Sequence, residues 1–198
     1  MTRRILAVAA VLALGTTGVG TQSRQATPPP KSAVGAAQKA TAAPPPVMVL
    51  ETAKGTIEIQ LNPAVAPKSV AHIVALVRKG FYRGLRFHRV TPTLAQVGDP
   101  QTRNVTLRNW WGTQHSGSPI GVAEITKLQS HLRGAVGLAH SGDAKQADSQ
   151  FYIMKIASPA LDGDYTLIGK VIVGFTVVDK LDYSEMIRNC YMKGEGPK

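Results

Sequence analysis

At 198 residues the chain suits one domain of ordinary size with some tail to spare, and 43% hydrophobic against 18% charged residues excludes a wholly disordered chain or a polytopic membrane protein. A single cysteine excludes an intrachain disulfide and any zinc site built on two or more thiolates. The net charge of +11 is uneven: residues 1–46 carry five basic residues and no acid, leaving 18 basic against 12 acidic residues, or +6, for residues 47–198.

Arg3 and Arg4 followed by the ten-residue apolar run Ile5 to Leu14 and small residues through Gly20 read as an export signal over residues 1–20. Cleavage is expected between about residues 20 and 26, and the run is well short of the roughly 20 residues of a membrane span, so an uncleaved anchor is the lesser reading. Residues 21–46 hold six of the 13 prolines among Ala, Gln and Thr, the composition of a disordered Pro/Ala-rich linker. The folded domain is expected over residues 47–198. A periplasmic or secreted location follows from this leader.

From Val47 the pattern changes. Val47 to Glu51 is a strand, Ala53-Lys54-Gly55 a turn, and Thr56 to Leu61 alternates, with Ile57, Ile59 and Leu61 on one face. Pro67 opens a helix whose Val70, Ile73, Val74 and Val77 form one stripe, stopped at Gly80. Leu85 to Val90 is again a strand. Residues 100–130 are rich in Gly, Ser, Thr and Asn without a period, the mark of a long surface excursion. Short strands resume at Gly134 to Ala139, Gln150 to Ile156 and Tyr165 to Val173; Val177, Val178 and Leu181 suggest a second helix, and Met186 to Tyr191 a last strand. Many short strands with two helices predict a mainly β fold, an antiparallel barrel or sandwich.

Several common chemistries find little support. The five histidines lack metal-ligand spacing, so no metal site is expected. Ser116 and Ser141 each follow a histidine but sit in no GxSxG motif, which leaves a serine hydrolase as a remote alternative. Cys190 has no context that would lower its pKa and reads as an incidental thiol. No basic helix interleaved with aromatics is present, so nucleic acid is not an expected partner. In Gln150 to Met154, period 2 puts Gln150, Tyr152 and Met154 on one face and Phe151 with Ile153 on the other. An amide beside an aromatic on one face suits a peptide-binding groove.

Phe87-His88-Arg89-Val90, Gln96-Val97-Gly98-Asp99-Pro100, Gly134 to Ala139, Ser149-Gln150-Phe151-Tyr152-Ile153, Leu161-Asp162-Gly163 and Gly169-Lys170-Val171 follow one another in order. Together they resemble the cyclophilin family of peptidyl-prolyl cis/trans isomerases over about residues 47–182. The resemblance implies a closed eight-stranded antiparallel barrel with two capping helices, acting as a monomer on proline-containing, unfolded or partly folded polypeptides and needing no cofactor. It implies catalytic roles for Arg89 and Gln96, and substrate-binding roles for Gln150, Tyr152, Ala139, His140, Leu161, Tyr165 and Leu94. Thr91-Pro92-Thr93-Leu94-Ala95 is one residue shorter than the family pattern and lacks its aromatic, Val97 stands where glycine is usual, and Ile168 replaces a frequent phenylalanine. These departures imply a shallower proline pocket and keep a second reading open, a peptide-binding module or holdase without turnover.

Overall fold

Strict alternation produces the first hairpin. β1 (Val47–Thr52) and β2 (Gly55–Leu61) pair antiparallel from Val47 opposite Gln60 to Thr52 opposite Gly55, and Ile57, Ile59 and Leu61 are fully buried. The structure, a computed structural model, describes residues 44–197, so the expected export signal and nearly all of the linker lie outside the described residues. Helix α1 (Pro67–Arg78) begins on a proline, which fits the first turn because its missing N–H would be unpaired there anyway. The Lys68 and Ser69 N–H groups at that end donate to the Glu124 carboxylate at 3.0 and 2.8 Å, so the long excursion caps the helix. Val70, Ile73, Leu76 and Val77 are its buried stripe, and the helix packs against the last strand.

The remaining strands are β3 (Arg89–Val90), β4 (Leu94–Val97), β5 (Ala135–Leu138), β6 (Phe151–Met154), β7 (Leu167–Val173) and β8 (Asn189–Met192), with the five-residue helix α2 (Phe175–Asp179) between the last two. The eight strands among the described residues form one curled antiparallel sheet in the order β3-β4-β6-β5-β7-β2-β1-β8. Strand β4 is absent from the sequence reading, and it occupies the place between β3 and β6. The strand expected over Leu85 to Val90 is reduced to two residues because the chain before it pairs elsewhere: Arg86 bridges Met186, and Phe87 N donates to Glu185 O at 2.9 Å. Consequently the last strand begins three residues later than expected, at Asn189. At the end of β6, the Lys155 and Ile156 N–H groups both turn to Thr93 O.

Two hydrophobic clusters result. The larger lies under α1 and takes Phe87, Val97, Phe151 and Ile153 together with the buried faces of β1 and β2. The smaller, on the other face of the same strands, consists of Leu94, Ala135, Tyr152, Met154 and Leu167, with Ala139, Leu161 and Tyr165 packed at its edge. The alternation expected along residues 150–154 therefore holds, and it places the candidate groove residues in a cluster of their own.

Candidate active site

Register brings the polar candidates into a row. Arg89 on β3 faces Gln96 on β4, and Gln96 faces Tyr152 on β6. Arg89 is exposed; its Nη1 lies 3.5 Å from Gln96 Oε1, and among the described residues no carboxylate pairs with it. Gln96 Nε2 donates to Gln150 Oε1 at 2.8 Å. Gln150 is buried, and its own amide nitrogen donates to Gly112 O and Gln114 O at 3.0 and 2.8 Å. Both Gln150 donors are thus used on the excursion, leaving Gln96 and Arg89 as the donors at the surface of the row.

Gln150 is placed by a tight crossing. Gly98 has φ of +120°, and a Cβ there would lie 2.2 Å from Ser149 O. That carbonyl also accepts from the Tyr82 hydroxyl at 2.9 Å, and Ser149 Oγ donates to Gly98 O at 2.8 Å. Only glycine permits this contact. Buried Asp99 then completes a brace around the excursion. Its Oδ1 accepts from Gln101 N at 2.7 Å, while Oδ2 accepts from Gly112 N at 2.6 Å and Gln114 N at 3.2 Å. Gly112 and Gln114 are consequently held by their N–H groups to Asp99 and by their carbonyls to Gln150. His88 lies beneath Gly112, and burial pushes its pKa down.

The apolar candidates gather beside this row. Leu94, Tyr152, Ala139, Leu161 and Tyr165 all belong to the smaller cluster, and Tyr152 and Tyr165 meet edge to face at 5.7 Å. His140 stacks at a tilt on Tyr165 at 4.6 Å, and its Nε2 lies 3.0 Å from Asp164 O. Ala139 N donates to Gln150 O at 2.9 Å. All nine candidate residues therefore lie on or beside the smaller cluster. Beyond His140 lies a groove of about 480 Å³ lined by Gln114, His115, Ser141, Gln146 and Asp148. A second cavity, about 520 Å³, is lined by Gln60, Leu128, Leu132, Arg133 and Lys170 and includes none of the candidates.

The sequence reading overlooked Asp99, Gly112 and Gln114 as supports of the row, and His131. His131 is buried, its Nε2 lies 2.8 Å from the Tyr152 hydroxyl, and its Nδ1 lies 2.7 Å from Asp162 Oδ1. The one available signal was the tyrosine itself, whose buried hydroxyl requires a partner. The hydrolase alternative gains nothing from the geometry, because Ser116 Oγ bonds Asp148 Oδ1 at 2.5 Å and His72 Nε2 reaches that same oxygen rather than the serine.

The family model described as "Cyclophilin type peptidyl-prolyl cis-trans isomerase/CLD" matches residues 47–193. A probable peptidyl-prolyl cis-trans isomerase of Brucella suis is 40% identical over 165 residues, 81% of this chain and 84% of that one. Among solved structures, the cyclophilin AquaCyp293 from Hirschia baltica is similar with a TM-score of 0.66 at 22% identity, covering 78% of this chain and 76% of the other. A Cryptosporidium parvum cyclophilin-type isomerase gives 0.64 at 23% identity, covering 76% and 99%. The family match over residues 47–193 and the 40% identity across most of both chains show that the chain belongs to the cyclophilin-type peptidyl-prolyl cis-trans isomerase family.

Proposed function

We propose that this chain isomerises X-Pro peptide bonds in exported polypeptides, as a monomer outside the cytoplasm, with residues 1–20 as export signal, 21–46 as linker and 47–198 as the catalytic domain. The basic, acid-free leader with its short apolar run supports export. In this reading the sheet closes as a barrel with α1 and α2 over its ends. The Arg86–Met186 bridge, joining the segments that precede β3 and β8, supports closure between the two edge strands.

Rotation about an X-Pro bond must surmount roughly 18–20 kcal/mol of amide resonance, while the two planar states differ by only about 0.5–1 kcal/mol. A catalyst therefore needs neither a covalent step nor a cofactor. It must favour the twisted amide over both planar forms. As the amide twists, its nitrogen lone pair localises and becomes an acceptor; a permanent cation with a planar fork can bond it there and hardly at all in the ground state. In this reading Arg89 takes that role, supported by its exposure and its contact with Gln96, and Gln96 holds the substrate backbone on one side of the turning bond. Leu94, Tyr152, Leu161 and Tyr165 then receive the prolyl ring, and Ala139 and His140 border the peptide. Gln150 serves by fixing Gln96 and the 112–114 loop.

The observation that carries this reading is the Arg89–Gln96–Gln150 row along the margin of a separate apolar cluster. The test is an isomerisation assay of the full chain on short X-Pro peptides, paired with a binding titration of the same peptides. Turnover lost in Arg89→Ala with affinity largely kept supports the enzyme. Affinity without turnover in the wild type would instead establish a peptide-binding module. Mass spectrometry of the mature chain from its host tests export, and an intact Met1 on cytosolic protein would refute it.

A further inference from the structure

Tyr152 carries a hydroxyl in a pocket that needs only an aromatic face, and the structure gives that hydroxyl a dedicated partner. The ring is buried, and its oxygen lies over Gly137, its cross-strand neighbour, where a Cβ would come within 2.4 Å of it. His131 Nε2 lies 2.8 Å from that oxygen, and the two rings stack at 5.9 Å with 18° between their planes. Burial raises the Tyr152 pKa, so the phenol keeps its proton. On the far side, the Asp162 carboxylate accepts from both His131 N and Nδ1 at 2.7 Å. An ionised carboxylate only accepts, so Nδ1 carries the hydrogen, and in the neutral ring Nε2 is then the acceptor of the one from the phenol.

His131 also holds the opposite wall. Its carbonyl accepts from Ser158 N at 2.8 Å, and Ser158 N and Asp162 bracket the short helical turn Pro159–Leu161 that presents Leu161 to the cluster. Tyr165 meets the His131 ring edge-on at 6.2 Å. One buried side chain is thus bonded to the strand bearing Tyr152 and to the turn bearing Leu161, and touches Tyr165.

Building on the isomerase reading above, we propose that His131, oriented by Asp162, is the positioning residue of the proline pocket: it fixes the Tyr152 ring and the Leu161 turn at the spacing a prolyl ring requires. Such a residue acts on binding of the proline side of the substrate. It does not touch the twisting amide.

The test uses the full chain with two readouts. In the isomerisation assay, Tyr152→Phe and His131→Leu should each raise KM by about five- to tenfold, the equivalent of one neutral hydrogen bond, with kcat changed less than about twofold. The double variant should be no worse than the poorer single one, because both remove the same contact. His131→Gln, whose amide can still accept from the phenol, should stay within about twofold of wild type. In the second readout, histidine 15N spectra should show His131 with a protonated Nδ1 and an unprotonated Nε2 whose shift moves in Tyr152→Phe. Additive KM effects, an effect confined to kcat, or His131→Gln behaving like His131→Leu would overturn the proposal. Should the wild type isomerise nothing, the functional reading fails. The spectrum then decides alone, since the Nε2–H tautomer, or a shift unmoved by Tyr152→Phe, overturns the positioning role and the expected pattern upholds it.

Discussion

Replacing Asp99 by asparagine keeps the shape of the side chain while removing its charge and one of its acceptors. The carboxylate is fully buried and receives three backbone N–H groups, from Gln101 on one oxygen and from Gly112 and Gln114 on the other. The best arrangement for asparagine aims its oxygen at Gly112 and Gln114 and sets its NH2 against the Gln101 N–H. One bond is lost, a donor faces a donor, and two bonds fall from charged to neutral. With charged bonds worth about 1.5–3 kcal/mol and neutral ones about 0.5–1.5, the loss is about 3–5 kcal/mol. Part is recovered because burying a neutral amide forfeits less hydration, leaving about 3 kcal/mol. For a domain of this size, that should lower Tm by about 6–12 °C. The loop gripped between Asp99 and Gln150 should loosen as well, raising KM for X-Pro peptides. Thermal melts with urea midpoints measure the first effect and the isomerisation assay the second. An Asp99→Asn protein melting within about 2 °C of wild type, a change of under 1 kcal/mol, would show that these bonds do not hold the loop.

Arg89→Ala should lower kcat by about tenfold or more while peptide affinity changes less, and Arg89→Lys should restore it only in part because an ammonium lacks the planar fork; unchanged turnover in Arg89→Ala would refute its catalytic role. Gly98→Ala should cost about 2–5 kcal/mol in urea unfolding, since the new Cβ meets the Ser149 carbonyl and the backbone has positive φ. Burial holds His88 below its ordinary 6.5, so the unfolded chain binds a proton that the folded chain resists. Stability present above 6.5 is therefore lost as pH falls through that value toward the folded pKa, and urea midpoints should show a decline below pH 6.5 that His88→Gln flattens. Glu51, held low by hydrogen bonds from Asn189 and Tyr191, adds a second loss as pH falls below 4.5. Residues 47–198 should fold alone with a cooperative melt, since every strand and helix among the described residues lies between Val47 and Met192; a non-cooperative melt of that fragment would contradict this.

Local periodicity made much of the molecule legible. The alternation of Thr56 to Leu61 and the two faces of residues 150–154 are each decided by neighbours in sequence and are found as read, while the helix stripe is found with Leu76 buried and Val74 only half-buried. Strand β4 was not legible. Leu94 to Val97 is apolar at three of its four positions and follows Thr91-Pro92-Thr93, so neither alternation nor flanks announced a strand. Its conformation comes from filling the space between β3 and β6. The same limit applies within the site. Arg89, Gln96 and Tyr152 stand in recognisable motifs, but Gln150 is held by residues 112 and 114 and Tyr152 by His131, which Asp162 holds in turn, all joined only by folding. Asp99 and Asp162 stand in the sequence only as letters of motifs. Their work is to receive backbone N–H groups from distant loops, which no spacing rule encodes.

Strand β6 carries Phe151 and Ile153 into one cluster and Tyr152 and Met154 into the other, which gives the chain a characteristic tolerance to evolutionary change. Inserting or deleting one residue within the strand would exchange the two sets, emptying the core and the pocket at once, so such changes should be purged from descendants. Substitutions at Leu94, Tyr152, Leu161 or Tyr165 bear on the smaller cluster and leave the main one in place. With the smaller cluster receiving the prolyl ring as proposed above, a lineage can drift toward new residue preferences around proline while the scaffold beneath α1 keeps its folding stability.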